Sequence, residues 1–297
     1  MSGLVIAGDL RLDRDALVAR GEQVAAGLAA MGIREGDVIA VLLRNGMPYL
    51  EIIQACKRLG CYYCPINWHY TADEVAFLAN DSGAKLLIAE DDLWRQVWAA
   101  LPPGLPVLRV MAEADAAFEA NDYEAWRDVQ PRYDGPLVAP RGHMAYTSGT
   151  TGRPKGVVRQ PFPVDRLAEH LAAVEAVVEQ AYGLRHGSRA LLPAPIYHSA
   201  PSVFAQVALR VCDTLVLTRR FDPLEVLRLI EQHRIDTIYL VPIMYVRLLK
   251  LEARARASFD LSSLRFVAST GAPCAPELKR AMIDWLGPVV HLSLIHI

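Results

Sequence analysis

Asp37-Val38-Ile39-Ala40-Val41-Leu42-Leu43 is the stretch whose reading decides the fold. After Asp37 it is wholly apolar, and it is bounded on both sides by helical patterns. A strand with one face in water alternates polar and apolar residues, whereas a strand covered on both faces reads as one continuous apolar run. The run therefore predicts a central strand of a parallel sheet. Upstream, Leu17, Val18, Val24, Ala25 and Leu28 fall at helical spacing, with Asp13 placed to cap the start and Gly32 to follow the end. Downstream, Pro48 suits a first helical turn, and Ile52, Ile53, Ala55 and Leu59 continue a second helix.

The unit repeats. Strands are predicted at Cys61 to Ile66, Lys85 to Ala89 and Val107 to Met111, with helices from Thr71 to Asn80 and from Asp92 to Ala100. Further on, helices are predicted at Pro163 to Tyr182, Pro223 to His233, Pro242 to Arg256 and Pro276 to Trp285. Short apolar strands centre near Ala190, Leu215, Ile238 and Phe266. Strands alternating with helices imply right-handed crossovers. The predicted class is α/β, with two mostly parallel sheet subdomains over residues 1–130 and 131–291. Ala112 to Arg141 lacks a period and carries six acids between Glu113 and Asp128, then Pro131, Pro136 and Pro140. It reads as a surface segment and linker.

Composition narrows the function. The 297 residues hold 31 Lys plus Arg against 33 Asp plus Glu, a net charge of −2. That removes the electrostatic argument for nucleic acid as a ligand. With 53% apolar and 22% charged residues the chain is not mainly disordered. No apolar run reaches the roughly 18 residues of a membrane span, and Met1 to Asp9 lacks the basic start of a signal peptide. A cytoplasmic location is expected. Five cysteines, an odd number, do not read as a disulfide framework.

The chemistry centres on Thr147-Ser148-Gly149-Thr150-Thr151-Gly152-Arg153-Pro154-Lys155-Gly156, which follows a strand end at His143 to Tyr146. Glycines let backbone N–H groups approach a ligand closely and form an anion-binding nest. Four hydroxyl side chains can donate to phosphate oxygens, and Lys155 supplies positive charge. The residues read as a loop, 147–156, that cradles a polyphosphate. It is not a Walker A loop, because Lys155 follows a proline and precedes Gly156 rather than Ser or Thr.

This segment resembles the phosphate-binding loop of the adenylate-forming superfamily, which includes acyl-CoA synthetases, aryl-CoA ligases, luciferases and peptide-synthetase adenylation domains. The resemblance runs from about Asp9 to His291. Arg44-Asn45, Gly60 and Pro65-Ile66-Asn67 sit where acyl-CoA synthetases carry similar residues. Pro195-Ile196-Tyr197-His198 is similar to an aromatic/His motif beside the acyl pocket, and Ser269-Thr270-Gly271-Ala272-Pro273 to a segment lying against adenine. The resemblance implies the two α/β subdomains of the large N-terminal domain of such an enzyme. It implies ATP, Mg2+ and coenzyme A as cofactor and co-substrates, and a small carboxylic acid as partner.

By that carry-over, Lys155, Thr151 and His198 take the catalytic roles. Thr147, Ser148, Gly149, Thr150, Thr151, Gly152, Lys155, Gly156, Gly271, Ala272 and Pro273 hold the nucleotide. Tyr197, His198 and Gly271 meet the acid, and Thr151 is the one residue offered as a Mg2+ contact. The implied function is an AMP-forming acid:CoA ligase for a hydrophobic, fatty-type acid. The alternatives are an adenylation domain loading an amino or aryl acid onto a carrier protein, or an inactive nucleotide-binding fragment. A hydrogen-bonded structural role is the alternative for His198, and a strand-to-helix turn coexists with the ligand role of Gly271.

Three features stand outside that motif. Cys61-Tyr62-Tyr63-Cys64 is a C-x-x-C within a strand pattern, so two core thiols are favoured over a redox or zinc pair. Arg247, Lys250, Arg254 and Arg256 interleave with apolar residues, as on a solvated outer helix or one making peripheral membrane contact. Leu292-Ser293-Leu294-Ile295-His296-Ile297 stands where the superfamily has an aromatic-Gly-x-Thr-Glu segment. It looks like a translated transposase adapter used in library preparation, so 292–297 is expected to be a non-native tail. A divergent natural strand is the alternative.

Overall fold

Val38–Leu42 is a strand with all five residues buried. It is the second strand of a four-stranded parallel sheet in the order Tyr62–Pro65, Val38–Leu42, Leu86–Glu90, Val107–Val110. The computed structural model describes residues 3–111, 122–147, 154–158 and 160–292. They fall into two compact units, described separately: residues 15–170, and residues 1–14 with 171–297.

In the first unit, helices Arg14–Ala30, Met47–Leu59, Ala72–Asp81 and Asp91–Val97 alternate with the strands. Each has a local cause. Gly60, at φ 67°, ends Met47–Leu59 in the left-handed conformation that glycine adopts without strain. Thr71 and Glu74 form a reciprocal capping box at the start of Ala72–Asp81. A short hairpin, Ala145–Thr147 against Lys155–Val157, belongs to this unit. A backbone bridge between Tyr63 and His143 ties it to the edge of the sheet.

Part of the expected surface linker is core. Residues 112–121 lie outside the described residues, but Tyr123–Asp128 is a helix capped by the Asp122 carboxylate. Its Tyr123 and Arg127 are buried around Glu51, which is fully buried in helix Met47–Leu59. Arg127 Nη1 donates to Glu51 Oε2 at 2.9 Å, Tyr123 Oη donates to the same oxygen at 3.0 Å, and Arg20 lies 3.4 Å from Oε1. Beyond it the chain runs back along the helices, with Tyr133 N donating to Glu22 O and Arg58 to Pro136 O. The first compact unit runs on to residue 170, and within it charged side chains rather than an apolar period hold residues 122–128 in place.

The second unit is built on a seven-stranded sheet. Its order is Val290–Leu292, Phe266–Ser269, Thr237–Leu240, Arg189–Leu192, Thr214–Leu217, Leu4–Ala7, Leu10–Asp13, parallel except for the last strand. The N-terminal hairpin was not predicted. Its signal was Gly8-Asp9 between the apolar Leu4–Ala7 and the alternating Leu10–Asp13, and Gly8 has φ 60°. Leu292, first residue of the suspected tail, pairs with Ser269; residues 293–297 lie outside the described residues. Helix Pro223–His233 forms as predicted, whereas the helix expected over Pro242 to Arg256 stops at Leu249 and resumes as Ala253–Ala257. Arg247 lies over the Phe221 ring at 4.8 Å and Arg256 over the Trp285 ring at 5.1 Å. The predicted continuous basic face is therefore interrupted, and two of its guanidiniums rest on aromatic rings of the chain itself. Among the described residues no helix is long and apolar enough to cross a membrane.

Candidate active site

In an open parallel sheet, ligands bind beyond the carboxyl ends of the strands where the strand order reverses. In the seven-stranded sheet that point lies between Arg189–Leu192 and Thr237–Leu240: the chain leaves the first toward Thr214–Leu217 and returns on its other side. The loop after Arg189–Leu192 carries Tyr197 and His198. The loop after Phe266–Ser269, two strands over, carries Thr270 to Pro273. Topology alone thus brings two predicted groups to one edge.

His198 is the N-cap of helix Ser199–Val211, which the sequence analysis had not delimited. Its ring lies 4.4 Å from that of Tyr197. The imidazole stays accessible to solvent, yet the protein packed around it lowers its pKa by desolvation, which favours the neutral ring. Gly271 has φ 85° and open space where a Cβ would stand. The residue is glycine for its backbone, and the space leaves the main chain approachable by a flat group.

Three hydroxyls at this edge went unpredicted. Thr218 Oγ1 is buried with no hydrogen-bond partner among the described residues, and the buried Ser269 Oγ and Tyr245 Oη have only each other, without a hydrogen bond of good geometry. Burial pushes the Tyr245 phenol up to about 12, against the opposing pull of a weak hydrogen bond with the Ser269 hydroxyl. Beside them Tyr239 Oη and Thr270 Oγ1 share a 2.5 Å hydrogen bond. Nothing in the local pattern marks such residues, since only tertiary packing decides which hydroxyls find partners.

The phosphate-loop residues lie in the other unit. Residues 148–153, including Ser148, Gly149, Thr150, Thr151 and Gly152, lie outside the described residues. The arms are described. Thr147 pairs with Lys155 and Tyr146 with Gly156, so the loop closes on an antiparallel ladder. Lys155 is exposed, as a phosphate-binding side chain must be. Among the described residues no cluster of three His, Cys, Asp or Glu could hold a metal ion, and Thr151 is not among them.

The remaining motif residues have structural surroundings. Arg44 N donates to Glu90 Oε1 at 2.8 Å, and its guanidinium pairs with Glu90 and bidentately with Asp92 at 2.9 and 2.8 Å. Asn45 and Ile66 are buried, Gly60 is a helix cap, Pro65 ends a strand, and Asn67 Oδ1 accepts from His69 N. Cys61 and Cys64 are buried free thiols, and burial pushes Cys64 up to about 12. That is inert core chemistry.

Comparison with known proteins agrees with this architecture. The AMP-binding enzyme family model matches residues 5–293. The chain belongs to the AMP-binding enzyme family. Feruloyl-CoA synthase of Amycolatopsis sp is 34% identical over 264 residues, 88% of this chain and 50% of that protein. A 3-[(3aS,4S,7aS)-7a-methyl-1,5-dioxo-octahydro-1H-inden-4-yl]propanoyl:CoA ligase of Mycobacterium tuberculosis is 34% identical over 267 residues, 85% and 50% of the two chains. This AMP-binding chain thus spans about half the length of the relatives it matches. Among solved structures, the Brucella canis acyl-CoA synthetase superposes with a TM-score of 0.82 at 24% identity, covering 99% of this chain and 54% of that one. At that identity the likeness shows the fold.

Proposed function

We propose that this chain carries the adenylating site of an AMP-forming acid:CoA ligase acting on a hydrophobic carboxylic acid. The observation that carries the reading is the glycine- and hydroxyl-rich loop closed by the ladder on Thr147 and Lys155, which presents Lys155 to solvent. Family membership supports it. So do relatives named for feruloyl-CoA and 4-coumarate–CoA chemistry, which make arylpropenoic acids a natural first panel beside fatty acids.

In the first half-reaction a carboxylate oxygen of the acid bonds to the α-phosphorus of ATP. The bond from that phosphorus to the bridging oxygen breaks, and pyrophosphate leaves. Charge gathers on the phosphates, and Lys155 with the backbone and hydroxyl donors of 147–156 offsets it. In the second, the sulfur of coenzyme A bonds to the acyl carbon, AMP leaves with the electron pair, and the thiol proton passes to solvent. A neutral His198 beside Tyr197 can donate a hydrogen bond to the acid without adding charge. Gly271, Ala272 and Pro273 offer backbone to the adenine.

Lys155→Ala in the full-length protein is expected to lower acid-dependent ATP–pyrophosphate exchange about 10- to 100-fold, the value of a charge-assisted contact. An unchanged exchange rate removes the assignment. A second reading is supported by a fatty acid–acyl-carrier-protein ligase of Streptomyces coeruleorubidus, 33% identical over 266 residues. Acyl transfer to a carrier protein, with no reaction on coenzyme A, would replace coenzyme A as acceptor.

A further inference from the structure

The two arms of the phosphate loop are held very differently. The incoming arm has three attachments to the body of its unit. Its backbone meets the edge strand, with Met144 N donating to Tyr63 O at 2.9 Å and the Tyr63–His143 bridge beside it. The Tyr146 ring packs against two core clusters, one that includes Leu78 and one that includes Cys64 and Met144. Tyr146 Oη donates to Asp81 Oδ2 at 2.7 Å, at the end of helix Ala72–Asp81. The outgoing arm, Lys155–Val157, is exposed at every residue and is paired in the ladder with that incoming arm.

Gly156 fits this arrangement. A Cβ there would stand 3.1–3.3 Å from the Tyr146 ring, tighter than ordinary van der Waals contact. The missing side chain lets the ring lie across the hairpin and bear on the outgoing arm one residue from Lys155. Burial and Asp81 also raise the Tyr146 phenol's pKa, so it stays a hydrogen-bond donor at working pH.

We propose that Tyr146 and Asp81 form a positioning pair for Lys155: the Tyr146–Asp81 hydrogen bond fixes the ring, and through Gly156 the ring fixes the arm that presents the ammonium to the nucleotide phosphates. The proposal rests on the reading of 147–156 as a phosphate loop. Neither residue touches substrate. Their influence is geometric, and small misplacements of a charged group are costly to rate.

The test uses the full-length protein in acid-dependent ATP–pyrophosphate exchange. Tyr146→Phe removes the donor alone, Asp81→Ala removes the acceptor, and Asp81→Asn keeps an acceptor oxygen. The expected result is a rise of about 10-fold in KM for ATP for Tyr146→Phe and Asp81→Ala, with KM for the acid and Tm little changed. The double variant should be no worse than either single one, and Asp81→Asn should recover most of the loss. A lowered Tm with unchanged KM for ATP overturns the proposal, since the pair is then structural only. Additive single effects overturn it as well, since the hydroxyl and carboxylate then act separately. Lys155→Ala, run in parallel, separates the two readings. If it too leaves exchange unchanged, the phosphate-loop reading fails and takes this proposal with it. If it lowers exchange while Tyr146→Phe does not, the positioning pair alone is wrong.

Discussion

Both sheets reverse their strand order, and the two reversal points are chemically opposite. In the four-stranded sheet the point lies between Val38–Leu42 and Leu86–Glu90. There Arg44, just after one strand, is joined to Glu90, the last residue of the other, and to Asp92 beyond it, with the Trp68 ring 5.4 Å from the guanidinium. In the seven-stranded sheet the corresponding edge carries His198, Gly271, the unpartnered Thr218 hydroxyl and the poorly paired hydroxyls of Ser269 and Tyr245. One end of a sheet is closed by ion pairs of its own charges, with Arg44 Nε still unpartnered among the described residues, while the other carries neutral hydroxyls. Topology nominates both places as binding sites. Charge pairing distinguishes them: a guanidinium held by two carboxylates fills one end, while the other carries neutral buried hydroxyls, and buried polar groups with spare capacity are either a cost to the fold or a provision for a ligand.

The largest expected effect breaks the closed end. Glu90→Ala leaves Arg44, 4% exposed, with Asp92 as its remaining carboxylate partner among the described residues. Removing one partner of a buried ion pair costs about 3–5 kcal/mol, a fall in Tm of order 10 °C for units of this size. His198→Ala at the open end should do the reverse. Being exposed, it should stay within about 0.5 kcal/mol of the parent in stability, while turnover of the acid falls about 10-fold or more. Thermal unfolding and exchange kinetics on the same two variants check both halves. Equal losses of stability would erase the distinction between the ends.

How much of this was legible in the sequence follows the same divide. Continuous apolar runs such as Val38–Leu42, and helix signals such as Pro223 and the Thr71–Glu74 box, are local, and they placed most strands and helices to within a residue or two. The incoming arm was legible as a strand end at His143 to Tyr146, whereas the outgoing strand Lys155–Val157 read as part of the loop because Gly156 and Pro154 mask a strand pattern. What failed depends on contacts distant in sequence. Tyr123 and Arg127 are core only because Glu51 lies 72 and 76 residues away. Tyr146 read as a strand end, with no hint of Asp81, 65 residues before it. Pro242 to Arg256 read as one helix because its amphipathic spacing continues through the break at Lys250 to Glu252.

A smaller effect sharpens the comparison along a single strand. Arg189–Leu192 has His198 beyond its carboxyl end and His233 against its start, where Arg189 Nε donates to His233 O at 2.5 Å. His233 is buried, and burial, then Arg11, Arg189 and Arg228, lower its pKa from the ordinary 6.5. The unfolded chain therefore takes up this proton first as pH falls. Stability from His233 is whole above about 6.5 and is lost as pH drops from there through the lower folded value. His233→Gln should flatten the decline of Tm between pH 7.5 and 5.5. An identical slope in the variant would mean that other groups carry it.

The smallest expected effect is the one that tests the open end most directly. Ser269 is 1% exposed and closes strand Phe266–Ser269, one residue before Thr270 and two before Gly271. A buried hydroxyl that makes a hydrogen bond costs roughly 1–3 kcal/mol of stability when its partner is stranded by mutation. The Ser269 hydroxyl has only Tyr245 Oη beside it and no hydrogen bond of good geometry, so its removal strands little and relieves a desolvated dipole. Ser269→Ala should therefore leave Tm unchanged or slightly raised. Thr270→Ala, which deprives Tyr239 of its 2.5 Å partner, should lower it. If Ser269 is instead satisfied by water in solution, Ser269→Ala will destabilise like Thr270→Ala, and the open edge will be no less complete than the closed one. With Tm unchanged, a rise in KM for an oxygen-substituted acid such as ferulate, and none for an unsubstituted acid, would mark the hydroxyl as kept for the substrate.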